Sequence, residues 1–457
     1  MLSFFQIFNN PKKQIQKLFT AESRKGQFFR GGFGSILITI GNKIIVLITG
    51  VLLVRILGKV EYGVYSYVLS LIYVLIIPIE SGLTNLIIRE TAKGTINDRP
   101  DLISGIWRWS FCITIIICSI LIIIAAFGMF WSIERFDNLD KSSFFWTIII
   151  ILSQSILLLA SSALRGLNKI TLGQFPDLII LPGIFIIFFS LFFLFVPSML
   201  NANISLALRA ASTIVASVFS IVFISKKTPK AVRETKPTYQ KKIWTSSAIP
   251  LGLSNGLGMV KTRISILLMA FFVTADQIGT FQVAVSTAAL ASLILNAVDA
   301  AVAPQFASLY IQGRQRTLQK LVLNSTRIVF IFNVFVTVIF IIFGKILLEF
   351  VFGVELVEAY STILIIMAGQ MVNSFFGSVP TLLNMTGHEK DVMKVIGFSS
   401  LINIIITLLL TPRFGIMGGA ISTASSLAFA QLIMTVIVNK RLGIVSHAIG
   451  RIHTRNN

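Results

Sequence analysis

Charge is what this chain has least of. Only 12% of its 457 residues are Asp, Glu, Lys or Arg, against about 25% in a soluble globular domain. Histidine occurs three times and cysteine twice. His388, His447 and His453 have no partner cluster, which leaves no histidine-based metal site or triad. Cys112 and Cys118 are six residues apart, so on a helix they point about 120° from one another and neither a disulfide nor a metal site follows. No glycine loop followed by Lys-Ser/Thr is present to cradle phosphates, which removes bound ATP as a built-in fuel. The first thirty residues lack an uninterrupted apolar core, so no cleavable signal peptide is expected. They carry six Lys/Arg and one acid and read as a cytoplasmic segment, with a surface helix around Ile15 to Phe19.

What fills the chain instead is apolar sequence. Hydrophobic residues make up 55%, mean hydropathy is +0.86, and runs of about 20 apolar residues recur throughout, enough to cross a bilayer as helix. The runs are too long and continuous for the alternating strands of a membrane barrel. The spacing predicts an all-α, polytopic membrane protein of about twelve spans: 33–54, 62–90, 104–130, 143–164, 177–196, 204–225, 245–273, 277–308, 321–343, 358–386, 392–411 and 415–438. Short connections leave no room for a soluble domain. The expected organisation is a cytoplasmic segment 1–30, a first six-helix lobe 31–225, a basic linker 226–244, a second lobe 245–440 and a tail 441–457.

The net charge of +21 is explained by topology rather than by nucleic acid. Loops on the side of both termini, with the adjoining span ends, hold 28 Lys/Arg, and the opposite loops hold 6. By the positive-inside rule both termini are cytoplasmic. Two parallel repeats are expected from matched positions. Gly63-Val64-Tyr65 resembles Gly279-Thr280-Phe281, and Gly166-Leu167-Asn168-Lys169 resembles Gly387-His388-Glu389-Lys390.

The remaining five bases, Lys43, Arg209, Lys261, Arg263 and Arg327, fall inside spans, as do the acids Glu80 and Asp299. A charge at the bilayer centre costs about 2.5–3.5 kcal/mol on insertion scales, so it faces a bundle interior or a wet cavity. Lys43 and Glu80 either pair with one another or belong to such a cavity. Pairing does not account for the set, since bases outnumber acids. Arg209 and Arg327 lie near span ends, where long side chains also snorkel. In the eighth span Gln282, Ser286, Ala289, Ser292, Asn296, Asp299 and Ala303 share one face. Small residues alone make a packing seam; the added Gln, Asn and Asp point to a hydrated face. Pro250, Gly252, Gly256 and Gly258 predict an irregular seventh helix.

The order of local motifs is similar to that of the oligosaccharide flippases (Wzx-type, polysaccharide biosynthesis proteins) of the multidrug/oligosaccharidyl-lipid/polysaccharide exporter superfamily. The residues that carry the resemblance are Leu53-Val54-Arg55-Ile56-Leu57-Gly58 leading into Glu61-Tyr62-Gly63-Val64-Tyr65, Gly82-Leu83 through Arg89 to Ala92, Arg165-Gly166-Leu167-Asn168-Lys169, and Pro304 followed by Ser308-Leu309-Tyr310 and Gly313. The resemblance implies two six-helix lobes in a V and alternating access. It also implies transport of a polyprenyl-diphosphate-linked oligosaccharide from the cytoplasmic to the outer face of a bacterial inner membrane, for surface polysaccharide assembly. Lys43, Lys261 and Arg263, with Arg209 and Arg327, are then expected to meet the anionic headgroup. Glu80, Asp299, Asn255, Asn296 and Gln282 would serve as polar partners or in H+ or Na+ coupling. No cofactor or metal is expected. A monomer working beside polysaccharide polymerase and chain-length proteins fits this reading. The alternatives are a multidrug exporter, which calls for an acidic cavity; a lipid II flippase, of a family with typically fourteen spans; and a membrane polymerase or ligase, which calls for a large outer loop.

Overall fold

A computed structural model describes residues 24–135 and 141–450. The expected surface helix at Ile15–Phe19 lies outside the described residues, as do the side chains of Asn255 and Lys261. Among the described residues the structure is helical throughout, with no strand.

In chain order the helices are α1 (Arg24–Ile77), α2 (Thr84–Ile96), α3 (Pro100–Arg135), α4 (Lys141–Gly166), α5 (Ile170–Phe175), α6 (Leu181–Phe195), α7 (Ala202–Lys227) and α8 (Lys230–Glu234). The second half holds α9 (Lys241–Met269), α10 (Ala275–Ala288), α11 (Leu293–Ile311), α12 (Gln315–Phe352), α13 (Ala359–Phe376), α14 (Val379–Met385), α15 (Glu389–Phe414) and α16 (Ile416–Leu442). Each of the twelve expected spans falls on helix. Among the described residues, ten helical runs are by length and hydropathy alone sufficient to cross a membrane. The first, Leu37–Ile96, contains two expected spans, and α9, the expected seventh, is not among the ten.

α1 is two helices joined at Gly58, whose φ of 75° and ψ of 171° are not helical. That break lies between the first two expected spans, 33–54 and 62–90. Only glycine adopts such a backbone without steric cost. Three further spans are interrupted by irregular turns: wide π turns at Pro78–Leu83 and Pro176–Ile180, and a 3-10 turn at Ala289–Ser292.

Packing follows membrane rules, with small residues at helix contacts and hydroxyls bridging them. Ser161 and Ser220 oxygens lie 3.3 Å apart between α4 and α7. Asn403 of α15 accepts from Ser265 of α9 at 2.9 Å and donates to Ser422 of α16 at 3.1 Å. α3 and α12 turn apolar faces outward, among them Phe111, Ile115, Ile123, Ile331, Phe335 and Ile342. Exposed apolar faces of this extent belong in lipid.

The two halves meet where α1 crosses α10. A Cβ on Gly63 would lie 1.7 Å from the Ala275 carbonyl oxygen, and one on Gly279 would lie 2.1 Å from the Lys59 carbonyl oxygen. These are the two glycines that head the repeated tripeptides, so the repeat-related positions pack against each other. Beside them Lys59 Nζ is 3.1 Å from Glu358 Oε1. Arg55 donates through Nε to the Val351 carbonyl at 2.7 Å and through Nη2 to the Phe350 carbonyl. At the other end of the bundle α9 lies along the first half. Trp244 is buried against Trp109 with ring centroids 5.6 Å apart. Ser81 Oγ donates to the Gly252 carbonyl at 3.0 Å. The later turns of α9 pack on α15 instead, where the side chain of Leu257 reaches Gly397.

Candidate functional site

Two carboxylates stand where helices lose their regular turn. Glu80 lies on the π turn between α1 and α2, and Asp177 lies on the one between α5 and α6. Each turn begins with proline, Pro78 and Pro176. Proline lacks an N–H and its ring crowds the carbonyl four residues back; a widened turn relieves both and re-aims the side chains that follow. Neighbouring side chains take up the backbone oxygens of these turns. Thr84 Oγ1 donates to the Glu80 carbonyl, and Asn42 Nδ2 to the Leu178 carbonyl at 2.7 Å. Glu80 and Asp177 lie within coulombic reach of each other. Asp177 Oδ1 accepts from Gln154 Nε2 at 3.1 Å and also feels Arg209 and Arg165.

The positive side of the cluster is built on one tyrosine. Arg209 of α7 donates from Nη2 to the Tyr73 hydroxyl at 2.9 Å. Its guanidinium lies 5.9 Å from the Phe185 ring centroid. Arg263 of α9 lies over the face of the same Tyr73, 4.8 Å from its centroid, a cation–π contact worth about 0.5–2 kcal/mol depending on desolvation. One arginine from each half of the chain therefore converges on Tyr73. The four ion pairs among the described residues, Lys59–Glu358, Arg89–Glu90, Arg99–Asp101 and Arg441–Asp391, all lie elsewhere. Arg263 acts on Glu80 at longer range, and Asp177 acts on Arg209. The Nε of Arg209 is buried without a partner. Nearby, the Tyr62 hydroxyl faces Ser66, Ser286 and Gln282.

The expected site residues thus divide. Arg209 and Arg263 meet at Tyr73, Glu80 lies within coulombic reach of Arg263, and Gln282 lies beside Tyr62. Lys43 is half-buried and forms no ion pair with Glu80; nor is it among the charges acting on that carboxylate. Asp299 sits apart, in the second half, with Oδ2 accepting from Thr381 Oγ1 of α14 at 2.8 Å and Oδ1 buried without a partner. Asn296 is exposed, its amide turned back to the Ser292 carbonyl at 3.0 Å. Arg327 does not join the cluster; its guanidinium is taken by the carbonyls of Ala448 and Gly450. Tyr73 and Asp177 were not expected. A proline directly before an acid, Pro176-Asp177 at the mouth of an apolar run, was the available signal for the second. Among the described residues no group of three or more His, Cys, Asp or Glu converges.

The arrangement sets one guanidinium from each half of the chain on Tyr73 with two carboxylates close by. Comparison with known proteins addresses fold and family. In structure the chain is similar to an inward-facing multidrug resistance MATE family transporter of the MOP superfamily, with TM-score 0.71 at 13% identity, covering 90% of this chain and 98% of that one. It is similar to the lipid II flippase MurJ in an inward closed conformation, with TM-score 0.68 at 14% identity, covering 89% and 87%. At such identities these likenesses concern the fold. In sequence it is 24% identical over 381 residues to a probable low-salt glycan biosynthesis flippase, Agl15, of Haloferax volcanii, covering 82% of this chain and 75% of that protein. It is 20% identical over 405 residues to an uncharacterized membrane protein, MJ1068, of Methanocaldococcus jannaschii, covering 84% and 78%. The family model described as polysaccharide biosynthesis protein matches residues 28–310, well over half the length. That match, over a multi-pass helical bundle, shows that this chain belongs to the polysaccharide biosynthesis protein family.

Proposed function

We propose that the protein is a flippase that moves a polyprenyl-diphosphate-linked oligosaccharide from the cytoplasmic to the outer face of the cell membrane, for assembly of a surface polysaccharide. The observation that carries this reading is the convergence of Arg209 and Arg263 on Tyr73 with no carboxylate in ion-pair contact. Guanidinium forks match phosphate oxygens in pairs, and a diphosphate offers one phosphate to each half of the chain. The two halves form the lobes of a V, the sugar enters between them, and the polyprenyl chain stays in lipid. The termini are cytoplasmic, as the 28-to-6 split of basic residues supports. The observed contact at Gly63 and Gly279 then closes the outer side. The curated relatives are archaeal, so the host membrane is that of a prokaryote, bacterial or archaeal.

Exchange against H+ or Na+ supplies the energy, with Glu80 and Asp299 as the titrating or ion-holding groups and Asp177 as the neighbour of Glu80. The protein works as a monomer and hands its product to a polymerase and chain-length proteins. A multidrug exporter shares the fold, but cationic drugs call for an acidic cavity, and here the carboxylates Glu80 and Asp177 are offset by Arg263, Arg209 and Arg165.

The test is binding by purified protein in nanodiscs to three probes of one chain length: polyprenyl diphosphate, polyprenyl phosphate and polyprenol. The expected order of affinity is diphosphate, then monophosphate, then alcohol. Equal affinity for all three would falsify the headgroup assignment. Deletion of the gene is expected to accumulate a lipid-linked oligosaccharide on the cytoplasmic side.

A further inference from the structure

α16 ends at Leu442, and Gly443, in the left-handed region at φ 65°, turns the chain. Residues Gly443–Gly450 then run as an irregular segment against α12 and against the break between α13 and α14. Irregular backbone in an apolar setting needs its polar groups met by protein, and side chains of α12 meet them. Gln319 grips Val445 in both directions: Nε2 donates to its carbonyl at 2.6 Å, and Oε1 accepts from its N–H at 2.9 Å. About two turns on, Arg327 donates from Nε to the Ala448 carbonyl at 3.1 Å and from Nη2 to the Gly450 carbonyl at 2.9 Å. The Ala448 N–H donates to the Phe375 carbonyl at 2.9 Å, and the His447 ring lies parallel to that of Phe375 with centroids 6.0 Å apart. Ser446 is fully buried, and Ile444 joins one core with Phe306 of α11, Leu318 and Val322 of α12, and Val379 and Leu382 of α14.

Phe375 is the penultimate residue of α13. Two residues later Gly377 breaks the helix at φ 72°, and a Cβ there would lie 2.2 Å from Thr326 Oγ1, beside Arg327. α14 restarts the helix and carries Thr381 to Asp299. The segment therefore touches both sides of the break: the Phe375 carbonyl of α13 by hydrogen bond, and α14 through Ile444. Apart from the Gly443 N–H on the Asn439 carbonyl at the end of α16, four of its five hydrogen bonds to other elements come from two side chains, Gln319 and Arg327. Such a grip is made and released as a unit.

We propose that Gly443–Gly450 is a detachable strap, clamped by Gln319 and Arg327, that holds the α13–α14 break in its observed geometry and so fixes Thr381 against Asp299. The strap stands independently of any substrate. The test uses full-length protein in nanodiscs, in a background carrying Cys112→Ser and Cys118→Ala, with single cysteines as reporters and a polar maleimide as the probe. Ser446→Cys reports the strap, and Ser378→Cys, buried at the break, reports what it holds. In the otherwise unaltered protein both are expected to label slowly. In Gln319→Ala/Arg327→Ala both are expected to label at least tenfold faster, and in Arg327→Lys, which keeps charge but loses the fork, by an intermediate factor. If Ser446→Cys stays protected in the double variant, the clamp does not hold the strap and the proposal fails. If Ser446→Cys is released but Ser378→Cys is not, the strap does not hold the break, and the proposal fails again. Ser220→Cys, buried between α4 and α7, is the fold control and is expected to stay protected. Exposure of Ser220→Cys along with the others would make the clamp a general determinant of folding and overturn the strap.

Discussion

Replacing Arg263 by alanine puts the headgroup assignment at greatest risk. Its guanidinium lies 4.8 Å over Tyr73, with no ion pair to release when it is removed. Its loss therefore breaks no direct ion pair, although Glu80 loses the longer-range field of the guanidinium. A hydrogen bond to a charged partner contributes about 1.5–3 kcal/mol, which at 1.4 kcal/mol per decade is about a ten- to hundredfold loss of affinity for polyprenyl diphosphate. Arg263→Lys keeps the charge but not the planar fork and is expected to fall between. Tyr73→Phe tests the same site differently. It leaves the ring under Arg263 but takes from Arg209 the hydroxyl that receives its 2.9 Å hydrogen bond. A buried donor left unmet costs about 1–3 kcal/mol, so the free protein is expected to melt lower while diphosphate binding, which offers Arg209 a new acceptor, restores much of the loss. The assays are equilibrium binding in nanodiscs at fixed salt and thermal melting with and without lipid. If Arg263→Ala binds diphosphate within twofold of the unaltered protein, the two arginines are not the headgroup site.

Three further outcomes are expected. Gly63→Ala sets a Cβ against the Ala275 carbonyl, 1.7 Å away in the present packing. It should part α1 from α10, so that a cysteine at the buried Thr280 labels more than tenfold faster. Lys59→Ala, which removes only a partly exposed ion pair worth about 0–1 kcal/mol, should change that rate little. Glu80→Gln with Asp299→Asn is expected to abolish the ion dependence of transport in vesicles while leaving diphosphate affinity within severalfold; ion dependence preserved in the double variant would remove both from coupling. Asn403→Leu removes bonds to Ser265, Ser422 and Ser426. At about 0.6 kcal/mol for an average interhelical bond in membranes, it should cost about 2 kcal/mol, seen as a lowered melting temperature.

Much of the fold is legible in residue spacing because a bilayer fixes helix length. The hinge between the first two spans was readable too, since Gly58 stands between long apolar runs with the charges Arg55, Lys59 and Glu61 around it. The repeated tripeptides at Gly63 and Gly279 carried more than ancestry: only a residue without a Cβ permits the backbone contact they share. The partners of charged residues were not legible. Helical phase says which residues lie on one face, but not which helix lies opposite. For Lys43 and Glu80 the sequence leaves pairing and a shared cavity both open, and in the structure they form no ion pair. Arg327 was read as facing the interior or snorkelling, and it meets instead the backbone of a segment more than a hundred residues away. Backbone carbonyls leave no mark in a sequence, so no pattern announces them as partners.

The two carboxylates show where that limit is narrower than it looks. A glutamate or aspartate one or two residues after a proline, at an apolar run, is a poor continuation of a helix on every local ground. The proline disrupts the ladder and the acid resists burial. That it occurs twice, as Pro78-Ile79-Glu80 and Pro176-Asp177, makes coincidence a weak account. In the structure both proline–acid pairs open π turns, and both acids come within reach of one another and of arginines. A wide turn frees backbone carbonyls and shifts the side chains after it by part of a turn. The same irregularity that weakens the helix therefore turns an acid toward the interior and leaves oxygens beside it. One of those oxygens is met by Asn42 from α1 and another by Thr84 from within its own helix. A local sequence fault of this kind, repeated in two spans, is evidence of a site before any neighbour is known. The remaining step, which spans bring their faults together, belongs to packing.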